Sequence, residues 1–134
     1  MPMVRIDVLT TFSAAERRAI GDAVHAAMTT TLDVPERDRF QVISAHEPDD
    51  FVFDRSYLDI ERSDRFVCVH VTLSAGRTTE AKQSFYARLA ELLGTEVGLR
   101  PEDLAVILVE NERGDWSFGR GEASYLVLPR ERWR

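Results

Sequence analysis

The fold is decided by the stretch Phe66-Val67-Cys68-Val69-His70-Val71-Thr72-Leu73. Apolar residues stand on both faces of this run, which is typical of a strand in the middle of a sheet. A Ser-Ala-Gly-Arg turn at 74–77 follows, and apolar residues then recur at helical spacing as far as Val97. Residues 98–101 end the helix, and residues 104–110 read as another buried strand. The second half of the chain is therefore predicted to be a β-α-β unit.

The first half of the chain has the same order of elements. Apolar and polar residues alternate from Val4 to Val8, which predicts a strand. Ser13-Ala14-Ala15-Glu16 is a capping box, so a helix begins there and ends near Leu32. Residues 40–44 are predicted to form the next strand. The distance from Ser13 to Pro35 equals that from Thr79 to Pro101, so the two halves are interpreted as a tandem repeat.

This repeat predicts an α+β fold with one four-stranded mixed sheet and two helices on one face. The helices cover only one face of the sheet, so the other face needs a partner, and an oligomer is expected. The 134 residues suffice for a single domain. Its predicted parts are a first β-α-β unit at 1–45, a connecting loop at 46–65, a second unit at 66–110, and a C-terminal hairpin and tail at 111–134.

Two further short structures are predicted from local patterns. Residues 116–118 and 123–128 read as two strands around Gly119-Arg120-Gly121, and together they form the predicted hairpin. Phe51-Val52-Phe53 is a candidate short strand within the loop. The polar tail at 129–134 is expected to fray.

Composition excludes several classes of protein. The net charge of −6 argues against a nucleic-acid-binding surface, which needs a basic stripe. Cys68 is the only cysteine, so there is no disulfide framework and a reducing compartment is expected. No apolar run approaches the roughly 20 residues of a membrane span, and no signal peptide is evident. The sequence thus predicts a cytoplasmic protein with neither a nucleic-acid nor a membrane partner.

Pro2 is the first candidate for chemistry. If Met1 is removed, the chain starts with a secondary amine on the first residue of a strand, where proline does least harm to a sheet. A free α-amino group titrates at roughly 7.7 to 8.0, so burial or a nearby charge decides its protonation at neutral pH. Such an amine is a possible base, acid or nucleophile.

The sequence resembles the tautomerase superfamily, and within it the malonate semialdehyde decarboxylase branch. The resemblance spans almost the whole chain and starts from the doubled β-α-β pattern behind an N-terminal proline. The motifs that carry it are Val34-Pro35, Asp38-Arg39, Phe85-Tyr86, Val109-Glu110-Asn111 and, most specifically, Asp115-Trp116-Ser117-Phe118-Gly119-Arg120-Gly121.

The resemblance implies roles for three catalytic residues. Pro2 matches the catalytic proline, and Asp38 matches the acidic residue that activates water or pairs with the proline. Arg77 matches one of two arginines that hold a substrate carboxylate. The substrate class implied is a small oxo acid, with no cofactor, in a homotrimer whose sites lie between subunits.

Four more residues are assigned to substrate binding. Trp116, Phe118 and Tyr125 match an apolar wall, and Arg120 lies in the same motif. The sequence departs from the family at Ala75, where the other carboxylate-binding arginine is expected. A charge-assisted hydrogen bond is worth roughly 1.5–3 kcal/mol, so the loss is large unless Arg120 or Arg65 replaces it.

The sequence leaves the reaction itself open. A cationic Pro2 suits decarboxylation or water addition, which Asp38 and the C-terminal motif favour. A neutral Pro2 suits keto–enol tautomerisation of a phenylpyruvate-like 2-oxo acid, or a Schiff base. A binding module without catalysis is the alternative from another class, and Asp38 would then only cap a turn. The three histidines have no metal-ligand spacing, so no metal is predicted.

Overall fold

Four strands form one mixed sheet in the computed structural model, which describes residues 2–133. They are β1 (Pro2–Leu9), β2 (Gln41–His46), β3 (Val67–Ser74) and β4 (Leu104–Asn111). Their order is β2-β1-β3-β4, with parallel outer pairs and an antiparallel central pair. Each parallel pair is one β-α-β unit, so the predicted tandem repeat is confirmed.

Two long helices join the paired strands, α1 (Ala14–Thr31) and α2 (Thr79–Val97). The capping box that begins α1 is present, because the Ser13 hydroxyl accepts from the Glu16 amide and the Glu16 carboxylate accepts from the Ser13 amide. The Thr78 hydroxyl caps α2, and Gly98 ends it in the left-handed conformation at φ 66°. Among the described residues, no helix is long and apolar enough to cross a membrane.

The core lies between one face of the sheet and the two helices. Alternate residues of β1 and β3 are fully buried, and they pair across the strands as Val4 with Val71 and Ile6 with Val69. The same cluster contains apolar residues of both helices, which also pack against each other. The prediction that both helices cover one face is therefore confirmed.

The opposite face of the sheet is partly exposed. Cys68 and His70 point to this side of β3 and are half-buried, although the strand itself is central as predicted. Asp7 forms an ion pair there with Arg5, at 3.0 Å, and its carboxylate lies 2.6 Å from His46 Nε2, within hydrogen-bond distance. Apolar residues of the edge strands flank these pairs.

The predicted C-terminal hairpin is wrong. Beyond β4 the chain forms a 3-10 turn at Arg113–Asp115, a short helix α3 (Ser124–Val127) and a 3-10 turn at Arg130–Arg132. Ser124 decides this, because its amide donates to the Trp116 carbonyl at 3.0 Å and its hydroxyl accepts from the Phe118 amide at 2.9 Å. These bonds fold residues 116–124 into a closed loop, so no strand ladder forms.

The predicted strand at Phe51–Phe53 is also absent. The loop instead contains 3-10 turns at Pro48–Asp50 and Tyr57–Asp59. The Phe51 and Phe53 rings pack on Phe66, with centroids 5.7 and 4.4 Å from it. Ring packing therefore replaces strand pairing in holding this segment to the sheet.

Candidate active site

Two adjoining cavities open where the α1–β2 connection, the β3–α2 turn and the C-terminal segment meet. The larger, of about 520 Å³, is lined by parts of 31–38 and 74–81 together with Arg113, Tyr125 and Trp133. We call it the Asp38 cavity. The smaller, of about 350 Å³, shares Asp38, Tyr125 and Trp133 with it and adds Phe40 and Phe118. We call it the Phe118 cavity.

Asp38 is a buried carboxyl group that belongs to both cavities, with 7% of its surface exposed. Its amide closes the turn after α1 by donating to the Pro35 carbonyl at 2.9 Å. Burial raises the pKa of Asp38 above its ordinary value, and nearby positive charges, Arg77 among them, oppose this rise. A carboxyl group of this kind is suited to proton transfer.

Arg77 lines the Asp38 cavity from the β3–α2 turn. Its Nε donates to the Leu32 carbonyl at 3.2 Å, and its Nη1 donates to the Ser74 carbonyl at 2.8 Å. These bonds fix the guanidinium plane, while the remaining N–H groups keep their capacity to donate. The arrangement is suited to binding a carboxylate that enters the cavity.

The Tyr125 hydroxyl lies within electrostatic range of the charged groups of the site. Burial raises the pKa of its phenol and the charge of Asp38 adds to the rise, while Arg77 and Arg113 oppose it. The hydroxyl is therefore neutral at ordinary pH and can donate a hydrogen bond. The side chains that line this one cavity and influence one another's charge are therefore Asp38, Arg77, Arg113 and Tyr125.

The aromatic residues of the predicted wall stack on one another. Trp116 is buried, and its Nε1 donates to the Asn111 side chain at 2.7 Å. Its ring stacks on Phe118 at 5.4 Å, and Phe118 meets Tyr125 edge-on at 5.7 Å. Phe118 and Tyr125 line the Phe118 cavity, whereas Trp116 lies behind Phe118 and supports it.

Pro2 begins β1 beside both cavities. It is buried and pairs with Leu73, which directly precedes the cavity residue Ser74. Two residues further on, the Val4 amide donates to the Phe40 carbonyl at 3.0 Å. The start of β1 therefore runs between two segments that line the cavities, with Pro2 in the sheet rather than in their lining.

Neither arginine considered as a replacement at Ala75 is brought to the cavities. Arg120 is exposed and has a left-handed backbone, with φ 63° between Gly119 and Gly121, and it lines neither cavity. Arg65 pairs with Glu16 and lies 3.7 Å from the centre of the Phe12 ring. The predicted contact of Arg120 with the site is thus not found within residues 2–133.

Two residues of the site were missed by sequence reasoning. Trp133 lies in the tail that was expected to fray, yet its ring meets Tyr125 edge-on at 5.0 Å and lines both cavities. Arg113 follows β4, and its guanidinium carbon lies 5.1 Å from the centre of the Trp133 ring. A tryptophan within an otherwise polar tail was the available signal for the first of them.

The tandem β-α-β sheet with this cavity beside the start of its first strand defines the class of tautomerase-fold enzymes. The chain belongs to the tautomerase family. A family model described as "Tautomerase enzyme" matches residues 38–119, and a second with the same description matches residues 2–59. The resemblance predicted from the Asp115–Gly121 motif is confirmed.

Individual relatives cover almost the whole chain. It is 37% identical to the probable tautomerase YusQ of Bacillus subtilis (strain 168), over 94% of this chain and 99% of the relative. The structure of FG41 malonate semialdehyde decarboxylase inhibited by 3-bromopropiolate is similar at 40% identity and a TM-score of 0.86, over 95% and 99% of the two chains. A second malonate semialdehyde decarboxylase, described with decarboxylase and hydratase activities, is 36% identical with a TM-score of 0.86, over 92% and 95%. The chain is therefore a member of the malonate semialdehyde decarboxylase-like branch.

Proposed function

We propose that this protein is a cofactor-independent decarboxylase or hydratase of a small oxo acid that uses the amino group of Pro2 after removal of Met1. One observation carries the proposal. The buried Asp38 shares a cavity with Arg77 and Tyr125 at the place where β1 begins. The similarity to two malonate semialdehyde decarboxylases supports the same reaction class.

Arg77 binds the substrate carboxylate in this proposal. Its guanidinium is already fixed by the Leu32 and Ser74 carbonyls, so little side-chain entropy is lost on binding. Tyr125, whose phenol stays protonated, donates to a substrate oxygen. The substrate is thereby oriented before any bond changes.

Decarboxylation of a 3-oxo acid requires a place for the electron pair of the breaking carbon–carbon bond. A cationic Pro2 donates to the 3-oxo group, so the pair moves into an enolate as carbon dioxide leaves. The carbon that lost carbon dioxide then takes a proton, giving the aldehyde. In water addition, Asp38 accepts the proton of the attacking water while Pro2 protonates the product.

The charge of Pro2 depends on two opposing effects. The aromatic rings around Phe118 disfavour a cation, whereas an ionised Asp38 favours it. An uncharged Pro2 would act as a base next to a carbonyl group or form a Schiff base.

A second candidate function is keto–enol tautomerisation of a phenylpyruvate-like 2-oxo acid. The Phe118 cavity favours it, because Phe40, Phe118 and Tyr125 line a space next to Asp38 that suits an aryl ring. Ala75 favours it too, since a tautomerase substrate needs less anchoring of its carboxylate. A binding module that retains the fold without catalysis is the remaining alternative.

The active form is proposed to be a homotrimer. The half-exposed face of the sheet, with Ile107 47% and Val109 42% exposed, supports burial against another copy of the chain. In this proposal the site lies between subunits, so that residues of a neighbouring copy lie near Pro2.

Steady-state assays of the Pro2→Ala variant test the proposed function. The panel contains 3-oxopropanoate for decarboxylation, the halogen-free alkynoate propynoate for hydration and phenylpyruvate for tautomerisation. The variant is expected to lose at least about a hundredfold in kcat on the preferred substrate, the usual scale of general acid–base catalysis. Unchanged kcat in Pro2→Ala would rule out the proline mechanism, and no turnover of any acid by the wild type would favour the binding module.

A further inference from the structure

Arg113 approaches the Asp38 cavity from the end of β4. In the β3–β4 ladder Ser74 pairs with Asn111, and the next amide, that of Ala75, donates to the Asn111 carbonyl at 2.8 Å. Arg113 follows two residues later and lines the same cavity as Ala75 and Arg77. The small, exposed side chain at Ala75 leaves the space beside this strand end open.

The charge of Arg113 is not neutralised within the described residues. Its two nearest acidic neighbours in sequence, Glu112 and Asp115, are engaged with each other's backbone amides in a capping box. Arg113 forms no salt bridge with a carboxylate of residues 2–133, and its guanidinium lies against the Trp133 ring. An arginine held near an aromatic ring by cation–π attraction keeps N–H groups free to bind an anion.

Arg113 also acts on the centre of the site. Its charge, like that of Arg77, is felt by the Tyr125 hydroxyl, so both guanidinium groups lie within electrostatic range of one point in the cavity. The acidic residues of the lining are Asp33, which is exposed, and the buried Asp38.

We propose that Arg113 is the second anion-binding residue of the Asp38 cavity and that it binds the substrate carboxylate together with Arg77. The two arginines reach the anion from neighbouring strand ends, one from the β3–α2 turn and one from the segment after β4. This makes Arg113 a specificity-determining residue for carboxylate-bearing ligands. The inference rests on the proposed function only in its choice of ligand class, a small carboxylate, because it concerns binding and not turnover.

The test is a binding titration with an unreactive probe, 3-hydroxypropanoate, and its uncharged counterpart, 3-hydroxypropanamide. Binding is followed by the fluorescence of Trp116 and Trp133 and by calorimetry. Arg113→Gln is expected to weaken 3-hydroxypropanoate about tenfold or more, the loss expected for one charge-assisted hydrogen bond, without changing the affinity for the amide. Near-ultraviolet circular dichroism shows whether the variant retains the fold.

Arg130→Gln is the matched control. The guanidinium carbon of Arg130 lies 5.9 Å from the centre of the same Trp133 ring, but Arg130 does not line the Asp38 cavity. The affinities of Arg130→Gln for both probes should therefore stay within about twofold of wild type. Equal weakening by both variants, an Arg113→Gln variant that binds the carboxylate normally, or no binding by the wild type would each overturn the proposal.

A double variant tests the adjacency of Ala75 and Arg113. Adding Ala75→Arg to Arg113→Gln returns a guanidinium to the same space from the other strand end and is expected to restore most of the lost affinity. A double variant that binds as weakly as Arg113→Gln contradicts the shared position. Failure of the proposed function is detected separately, because it shows in the turnover of Pro2→Ala, whereas this proposal is tested by the difference in binding between Arg113→Gln and Arg130→Gln.

Discussion

At the scale of single residues, the burial of Asp38 has opposite effects on stability and function. Burial raises the pKa of Asp38 above that of the unfolded chain, so the folded state binds the proton more tightly. The ionised carboxylate therefore destabilises the fold. This effect is absent below the pKa that the carboxyl group has in the unfolded chain, and it grows as the pH rises towards the pKa of the folded protein. In the proposed mechanism this cost is offset by function, because Asp38 accepts or donates a proton.

Asp38→Asn is predicted to be more stable than wild type at neutral pH and much less active. The gain in melting temperature should disappear as the pH falls below about 4, where the unfolded carboxyl is also protonated. Activity should fall about a hundredfold or more, the scale of a lost acid–base residue. Thermal melts across pH, with kinetics at pH 7, measure both; a pH-independent difference in melting temperature would contradict the account.

Arg77→Lys is predicted not to be conservative. A lysine cannot donate to the Leu32 and Ser74 carbonyls and bind a carboxylate in the same plane. We expect KM for the oxo acid to rise about tenfold to a hundredfold, with a smaller change in kcat. Arg88→Lys on the outer surface of α2 is the control and should leave both constants unchanged; an unaffected KM in Arg77→Lys would remove this arginine from the binding site.

At the scale of elements, the C-terminal segment is part of the site and not an appendage. Trp133 contacts Tyr125 and lines both cavities, and Arg113 lies against its ring. The packing of β1–β4, α1 and α2 does not involve this tail, because the core cluster is drawn from residues 4–99 with the partly buried residues of β4.

Ending the chain after Leu128 is therefore predicted to preserve the fold and impair the site. The melting temperature should change by no more than a few degrees, consistent with a loss of about 1 kcal/mol. Affinity for 3-hydroxypropanoate should fall several-fold, because Arg113 loses the ring that positions it. Calorimetry and thermal melts distinguish the two effects; normal affinity in the shortened chain would show that the tail is not part of the site.

Some elements of the structure could be predicted from the sequence, and others could not. The strand alternation of β1, the capping box of α1 and the spacing of Pro35 and Pro101 are local signals, and they predicted the repeat. The hairpin prediction failed because Gly119-Arg120-Gly121 is suited to a turn both in a hairpin and in the loop that is observed. The hydrogen bonds of Ser124 with Trp116 and Phe118 decide between the two, and no local sequence pattern predicts them. Arg113 and Trp133 were missed for the same reason, since their contacts with the cavity depend on chain segments far apart in sequence.

At the scale of the whole molecule, the half-exposed face of the sheet is the surface proposed to form the interface between subunits. It combines the polar contacts of Asp7 with Arg5 and His46 and the exposed apolar residues of β4. The helices cover the other face, so this side is the natural interface of the proposed homotrimer.

Ile107→Glu is predicted to convert the trimer to a monomer that keeps its secondary structure. A charge on this face would be buried without a partner in the assembly, at a cost of several kcal/mol. Val52→Glu is the control, because Val52 is 87% exposed on the loop between β2 and β3. Light scattering coupled to size exclusion measures the masses; a trimeric Ile107→Glu, or a monomeric wild type, would refute this interface.

The intact mass of the purified protein tests the central claim most directly. The proposed catalysis needs a free secondary amine at Pro2, because an amide nitrogen has no basicity at ordinary pH. Catalysis through Pro2 predicts a mass lower than that of the full sequence by one methionine residue. A mass that includes Met1 in active protein would contradict it, since every mechanism through Pro2 would then be impossible.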